Sequence, residues 1–131
     1  MEDNPADALL AAELIRETGI SANITTVSDG EMAITALEKM KLSESEFPDF
    51  ILLDINLPKK NGHEVLRFIK NAHLHSSYVA IYTGSSSPDD ERKAAEHGAD
   101  AYIIKPIGTK EMEKTVKLFR DILNSRTLSV D

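Results

Sequence analysis

The chain contains no cysteine, which excludes disulfides, thiolate catalysis and cysteine-ligated zinc and suits a reducing compartment. It also lacks any apolar run of membrane-spanning length, and its acidic start has neither the basic nor the apolar stretch of a signal peptide. Both absences read as a cytoplasmic protein with no membrane contact. Positive charge is in deficit: 15 Lys and Arg face 22 Asp and Glu, for a net charge of −7. Phosphate-backbone binding needs clustered Lys and Arg to displace counterions, so direct nucleic-acid recognition is not expected. Internal repeats and low-complexity segments are absent too. At 131 residues there is length for one sizeable core but not for a catalytic domain plus a separate output domain.

What is present is an alternation of short apolar runs and helical patterns. Asn4-Pro5 pairs a cap residue with proline at the first helical position, opening a helix over Ala6–Thr18 that stops at Gly19. Ala8, Ala11, Ala12 and Ile15 share one face, and Leu9, Leu10 and Leu14 fall outside it, so this helix is either buried on more than one side or offers a contact surface. Ile24–Val27 reads as a strand, and Asp29–Lys41 as a helix with Ala33, Ala36, Leu37 and Met40 on one stripe. A loop containing LSESEFP follows. Phe50–Asp54 is apolar on consecutive residues, as in a strand covered on both faces. His63–Ala72 returns to helix with Val65, Phe68, Ile69 and Ala72 inward. Tyr78–Thr83 is a second buried strand, and the next helix carries Asp89, Asp90 and Glu91 near its start, where the helix dipole favours them. Gly98 closes it. Ala101–Ile104 is a strand, and Thr109–Asn124 a helix burying Met112, Val116, Phe119 and Leu123, with a short tail over 125–131 after it. Strands and helices that alternate across short connections specify an α/β fold, a doubly wound parallel sheet flanked by helices.

In such a sheet the carboxyl ends of the strands share one edge. Those ends are Asp54, Thr83 and Lys105, with Glu2 and Asp3 placed where a preceding strand would end. Three carboxylates brought together repel one another, and a divalent cation beside Lys105 relieves them; all-oxygen ligands favour Mg²⁺. The set asks for a cation and a phosphoryl group.

The segments EDNPAD, LLDINLPKKNG, AIYTGSS and AYIIKP, in this order and spacing, resemble the receiver domains of two-component response regulators, especially the stand-alone type of chemotaxis and phytochrome-linked regulators. The resemblance covers Glu2 to about Leu123 and implies a flavodoxin-like fold over residues 1–124. It implies that Asp54 takes a phosphoryl group from a phosphohistidine on a sensor histidine kinase. Glu2 (through water), Asp3, Asp54 and the backbone carbonyl of Asn56 would hold Mg²⁺. Lys105 would pair with the acceptor and then with the phosphoryl group, and Thr83 would move toward it. Tyr102 would turn into the space Thr83 leaves, changing the surface around the last two helices for a downstream protein target. A cis Lys105-Pro106 bond is also implied.

Two other functions compete. A Mg²⁺-dependent phosphohydrolase with an aspartate nucleophile wants a second aspartate two residues on, where this chain has Asn56, and a cap domain for which there is no sequence. A phosphorylation-independent interaction module would not need so complete an acceptor site. His73 and His75 read as solvated loop histidines rather than a metal pair, and Lys59-Lys60 as a solvated turn. Only Met1 precedes Glu2, whereas the family has an apolar strand of about five residues there. Either the natural chain starts upstream or the first strand is missing. In the second case the strand at Ile24–Val27 is expected to pair directly with that at Phe50–Asp54, or the chain to borrow surface by forming a homodimer, with Glu2 and Asp3 losing the strand that positions them.

Overall fold

The computed structural model describes residues 1–41, 48–57, 59, 61–71 and 77–128. Eight elements follow one another: α1 (Pro5–Glu17), α2 (Gly30–Lys41), β1 (Phe50–Leu53), α3 (Gly62–Asn71), β2 (Tyr78–Thr83), α4 (Pro88–Glu96), β3 (Ala101–Ile104) and α5 (Thr109–Leu128). They form two compact units. One comprises Met1–Asp3 and Thr26–Lys105; the other comprises Asn4–Thr25 and the chain from Pro106 on.

The first unit is built on a parallel sheet of order β1-β2-β3. Leu53 lies in register with Ile81, and Thr83 with Ile104, so β2 and β3 end level and β1 ends opposite Ile81, short of Thr83. The central strand β2 is buried from Val79 to Thr83, while β1 alternates between buried and half-buried residues. Ala33 and Leu37 of α2, Val65, Leu66 and Ile69 of α3, and Ala94 of α4 join Ile51, Leu53, Val79 and Ile81 of the sheet in one apolar core. Leu66, absent from the expected stripe of α3, is fully buried, whereas Phe68 packs at the periphery. Each helix is delimited by local chemistry. Asp29 Oδ1 accepts from Met32 N at 2.8 Å, Asn61 Oδ1 accepts from Glu64 N at 3.0 Å, and Gly98, at φ 88°, ends the turn after α4.

In the second unit, Asn4 Oδ1 accepts from the backbone N–H groups of Ala6 and Asp7 to cap α1. Leu14 is its buried residue, Leu10 and Ile15 are half-buried, and Leu9 alone among the leucines of α1 is exposed, at 66%. Packing thus rotates the buried face toward Leu14 from the alanine stripe. Arg120 of α5 donates from Nε to the carbonyl of Thr18 at 3.2 Å, satisfying an orphan acceptor at the end of α1. On α5, Val116, Phe119 and Ile122 are buried, and the helix continues to Leu128, beyond the expected end at Asn124.

Three expectations are corrected. Ile24–Val27 is not a strand. Its carbonyl at Val27 accepts from Glu2 N at 2.9 Å, and no repeated ladder follows among the described residues. This segment does not pair directly with β1 either: Met1 donates from its ammonium to Leu52 O at 3.0 Å and accepts from Asp54 N at 3.1 Å, so Met1 and Glu2 lie between the two. The Lys105-Pro106 bond is trans, as are all peptide bonds among the described residues, in line with the trans preference that X-Pro bonds retain. His73, His75, Pro58, Lys60 and most of the loop ending at Pro48 lie outside the described residues. Among the described residues no helix is long and apolar enough to cross a membrane.

Candidate functional site

Parallel pairing delivers the expected residues to one edge. Asp54 follows β1, Thr83 ends β2, and Lys105 follows β3, its N–H donating to Thr83 O at 2.7 Å. Glu2 arrives from the first residues, and its position is set by the backbone bonds at Met1 and Glu2, so it keeps strand-like support. Glu2, Asp54 and Thr83 are buried, at 8%, 5% and 0% exposure, and Asp3 is exposed.

Charge is concentrated here. The carboxylates of Glu2, Asp3 and Asp54 each offer an oxygen within 4.8 Å of the others. Lys105 Nζ stands 2.6 Å from Glu2 Oε1 and 2.8 Å from Asp54 Oδ2. The second oxygen of Asp54, Oδ1, accepts from Asn56 N at 2.9 Å, so both are oriented. Burial pushes the Met1 ammonium below its ordinary value of 8.0, with Glu2 and Asp54 pulling it back up and Lys105 pushing it further down. Among the described residues, one side-chain ammonium against three carboxylates leaves excess negative charge in a cluster whose donors are all hard oxygens. These residues fit a divalent cation.

Thr83 and Tyr102 meet through Ser85. Ser85 N donates to Thr83 Oγ1 at 3.3 Å, and Tyr102 Oη donates to Ser85 O at 2.8 Å. Burial raises the Tyr102 phenol above its usual value; the Ser85 hydrogen bond opposes this, and Asp90, Glu91 and Asp54 add to it. Ser85 Oγ in turn donates to Asp90 Oδ2 at 2.8 Å. Composition and spacing mark Ser85 only as a small residue beside the site and Asp90 only as an acid at a helix start. Neither signal reveals that they join the constellation. Lys59, at φ 68°, stands 3.7 Å from Asp29 and 4.0 Å from Glu31, exposed pairs that contribute little.

The family described as response regulator receiver domain matches residues 1–117. Among curated relatives, the probable methanogenesis regulatory protein FilR2 of Methanothrix harundinacea (strain 6Ac) is 34% identical over 92% of this chain and 79% of its own length. Response regulator Rcp1 of Synechocystis sp. (strain ATCC 27184 / PCC 6803 / Kazusa) is 34% identical over 89% of this chain and 81% of its own. The crystal structure of the Mn²⁺-bound form of Rcp1 superposes with a TM-score of 0.76, covering 89% of this chain and 86% of that one. The phosphorylated cyanobacterial phytochrome response regulator RcpA superposes with a TM-score of 0.77 at 31% identity, covering 93% and 86%.

Proposed function

Because the chain belongs to the response regulator receiver domain family, we propose that it receives a phosphoryl group on Asp54 from a phosphohistidine of a sensor kinase and signals by protein contact. In the transfer, an Asp54 carboxylate oxygen attacks phosphorus, the P–N bond to histidine breaks, and an aspartyl phosphate forms. The observation that supports this most is the state of Asp54: it is buried, one oxygen is held by Asn56 N, and the other is held by the Lys105 ammonium.

Positioning and electrostatics account for most of phosphoryl-transfer catalysis, and this chain supplies both. Lys105 moves from pairing with the acceptor carboxylate to pairing with the transferred group. The Thr83 hydroxyl, at the end of the neighbouring strand, becomes a donor to a phosphoryl oxygen once it leaves Ser85 N. Tyr102 then follows the rearranged connection. Glu2, Asp3, Asp54 and the Asn56 carbonyl would hold Mg²⁺, which offsets the negative charge of carboxylate and phosphoryl oxygens. The domain is a switchable binding module of the cytoplasm, not a turnover enzyme; Asn56 stands where an aspartate-nucleophile phosphohydrolase needs its acid.

Incubation with acetyl phosphate and Mg²⁺, followed by mass mapping, tests this. One phosphoryl group on Asp54, lost in Asp54→Asn, is expected. A label retained at full yield in that variant overturns the assignment.

A further inference from the structure

Beyond the pair Thr83 and Tyr102, the hydrogen bonds at this edge continue in one direction. Ser85 is their hub: its N–H goes to Thr83, its carbonyl takes the Tyr102 phenol, and its hydroxyl goes to Asp90 Oδ2 while accepting from Ser87 N at 3.3 Å. Asp90 lies in the first turn of α4, and its other oxygen, Oδ1, stands 3.5 Å from Nε2 of His63 on α3. The His63 ring is 17% exposed, and neither of its nitrogens has a hydrogen-bond partner among the described residues. A half-buried imidazole whose nitrogens make no hydrogen bond, 3.5 Å from a carboxylate oxygen, is a contact that a small displacement of Asp90 closes or opens.

We propose that Asp90 is a positioning residue for the switch, fixing Thr83 and Tyr102 through Ser85 and passing the displacement of Ser85 to His63 on α3. The chain of contacts supplies the reason. When Thr83 turns to a phosphoryl oxygen, the Ser85 N–H loses its acceptor and the connection between β2 and α4 must readjust. The charged hydrogen bond to Asp90 is the strongest of the bonds at Ser85 and holds its hydroxyl through that change. Movement of Ser85 therefore pulls Asp90, and Asp90 Oδ1 moves relative to His63. The signal reaches α3 as well as Tyr102. His97, whose ring centroid is 6.1 Å from that of His63, flanks the contact from the end of α4.

This inference rests on Asp54 being the phosphoacceptor, and the test separates the two. The probe is beryllofluoride with Mg²⁺, read by its dissociation constant and by the NMR ring signals of His63, assigned with His63→Gln. In the wild type, ligand binding shifts the His63 ring signals. Asp90→Ala is expected to weaken beryllofluoride binding about tenfold, the scale of one charge-assisted hydrogen bond, and to erase the His63 shift. Asp90→Asn, which keeps an oxygen acceptor for Ser85 Oγ, restores binding. Ser85→Ala, with the carboxylate intact, reproduces the loss, so the inference remains testable even where Asp90→Ala folds poorly. Affinity for Mg²⁺ alone is unchanged in all three, since Glu2, Asp3 and Asp54 are untouched. A parallel loss of Mg²⁺ affinity would mean a merely structural role and overturn the proposal. So would His63 shifts that persist in Asp90→Ala, or wild-type binding in that variant. A wild type that takes no beryllofluoride refutes the phosphoacceptor reading itself, and this inference with it.

Discussion

Replacing Gly62 with alanine tests how tightly α3 is seated on the turn that carries Asp54. Gly62 is buried, and its N–H donates to Ile55 O at 3.0 Å, so the first turn of α3 rests on the two residues that follow β1. A methyl group there would lie 2.4 Å from Asp54 O, 2.4 Å from Ile55 Cα and 2.9 Å from Asp54 C. All three are backbone atoms, so no side chain can swing aside. The nearest approach is about 1 Å short of the 3.4 Å at which ordinary contact begins. Either α3 lifts or the Asp54 turn is displaced. Overpacking of this kind costs about 1–3 kcal/mol, and a backbone-to-backbone clash belongs at the upper end. A loss of about 3 kcal/mol is a large part of the ~5–15 kcal/mol that holds such a domain. In urea the midpoint should fall by roughly 1–3 M, given slopes of about 1–3 kcal/mol per molar. Labelling by acetyl phosphate should fall as well, because Asp54 is carried by the displaced turn. The control is Gly84→Ala, where nothing lies within 4 Å of the new methyl group; its stability should stay within about 0.5 kcal/mol of wild type. If Gly62→Ala unfolds at the wild-type urea concentration, the reasoning about this contact is refuted.

Lys105→Met removes an ammonium that touches both Glu2 and Asp54. It should destabilise the metal-free protein by about 3 kcal/mol, as expected for stranding buried carboxylates, and tighten Mg²⁺ binding because the cluster gains net negative charge. Calorimetric titration giving wild-type Mg²⁺ affinity would contradict this. Tyr102 should ionise later than a free phenol, since burial first and Asp90, Glu91 and Asp54 after it favour the neutral form. Its folded-state pKa is raised, so its contribution to stability is full below about pH 10, the ordinary phenol value, and is lost as pH climbs past the folded one. An ultraviolet titration should show one high-pH ionisation disappearing in Tyr102→Phe; loss of an ordinary one instead would contradict the burial of that phenol.

Much of the architecture was legible because local rules and topology agree. Asn4 with Pro5 and Gly98 mark helix ends through a cap and a left-handed turn, which depend on a few neighbouring residues. Once strands and helices alternate, the parallel sheet must bring Asp54, Thr83 and Lys105 to one edge whatever the details of packing. Segment boundaries and buried faces were less legible, as Leu14 and Leu66 show, because helical periodicity indicates that a stripe exists and packing chooses its centre.

The residues before the first helix illustrate the limit more sharply. Sequence reasoning predicted a strand at Ile24–Val27 and a Glu2 without support, whereas the fold places Met1 and Glu2 between Val27 and β1 and leaves Ile24 exposed. Strand identity depends on a partner, and only the tertiary arrangement says how many ladder bonds a segment receives. The sequence by itself determined the α/β class and which charged and hydroxyl groups converge, because alternation and strand ends are properties of order along the chain. Only the tertiary structure decided which oxygen of Asp54 faces Lys105 and that Ser85 links Thr83 and Tyr102 to Asp90 and His63. Those contacts depend on differences of a few tenths of an ångström between groups from separate elements, and no spacing along the chain encodes them.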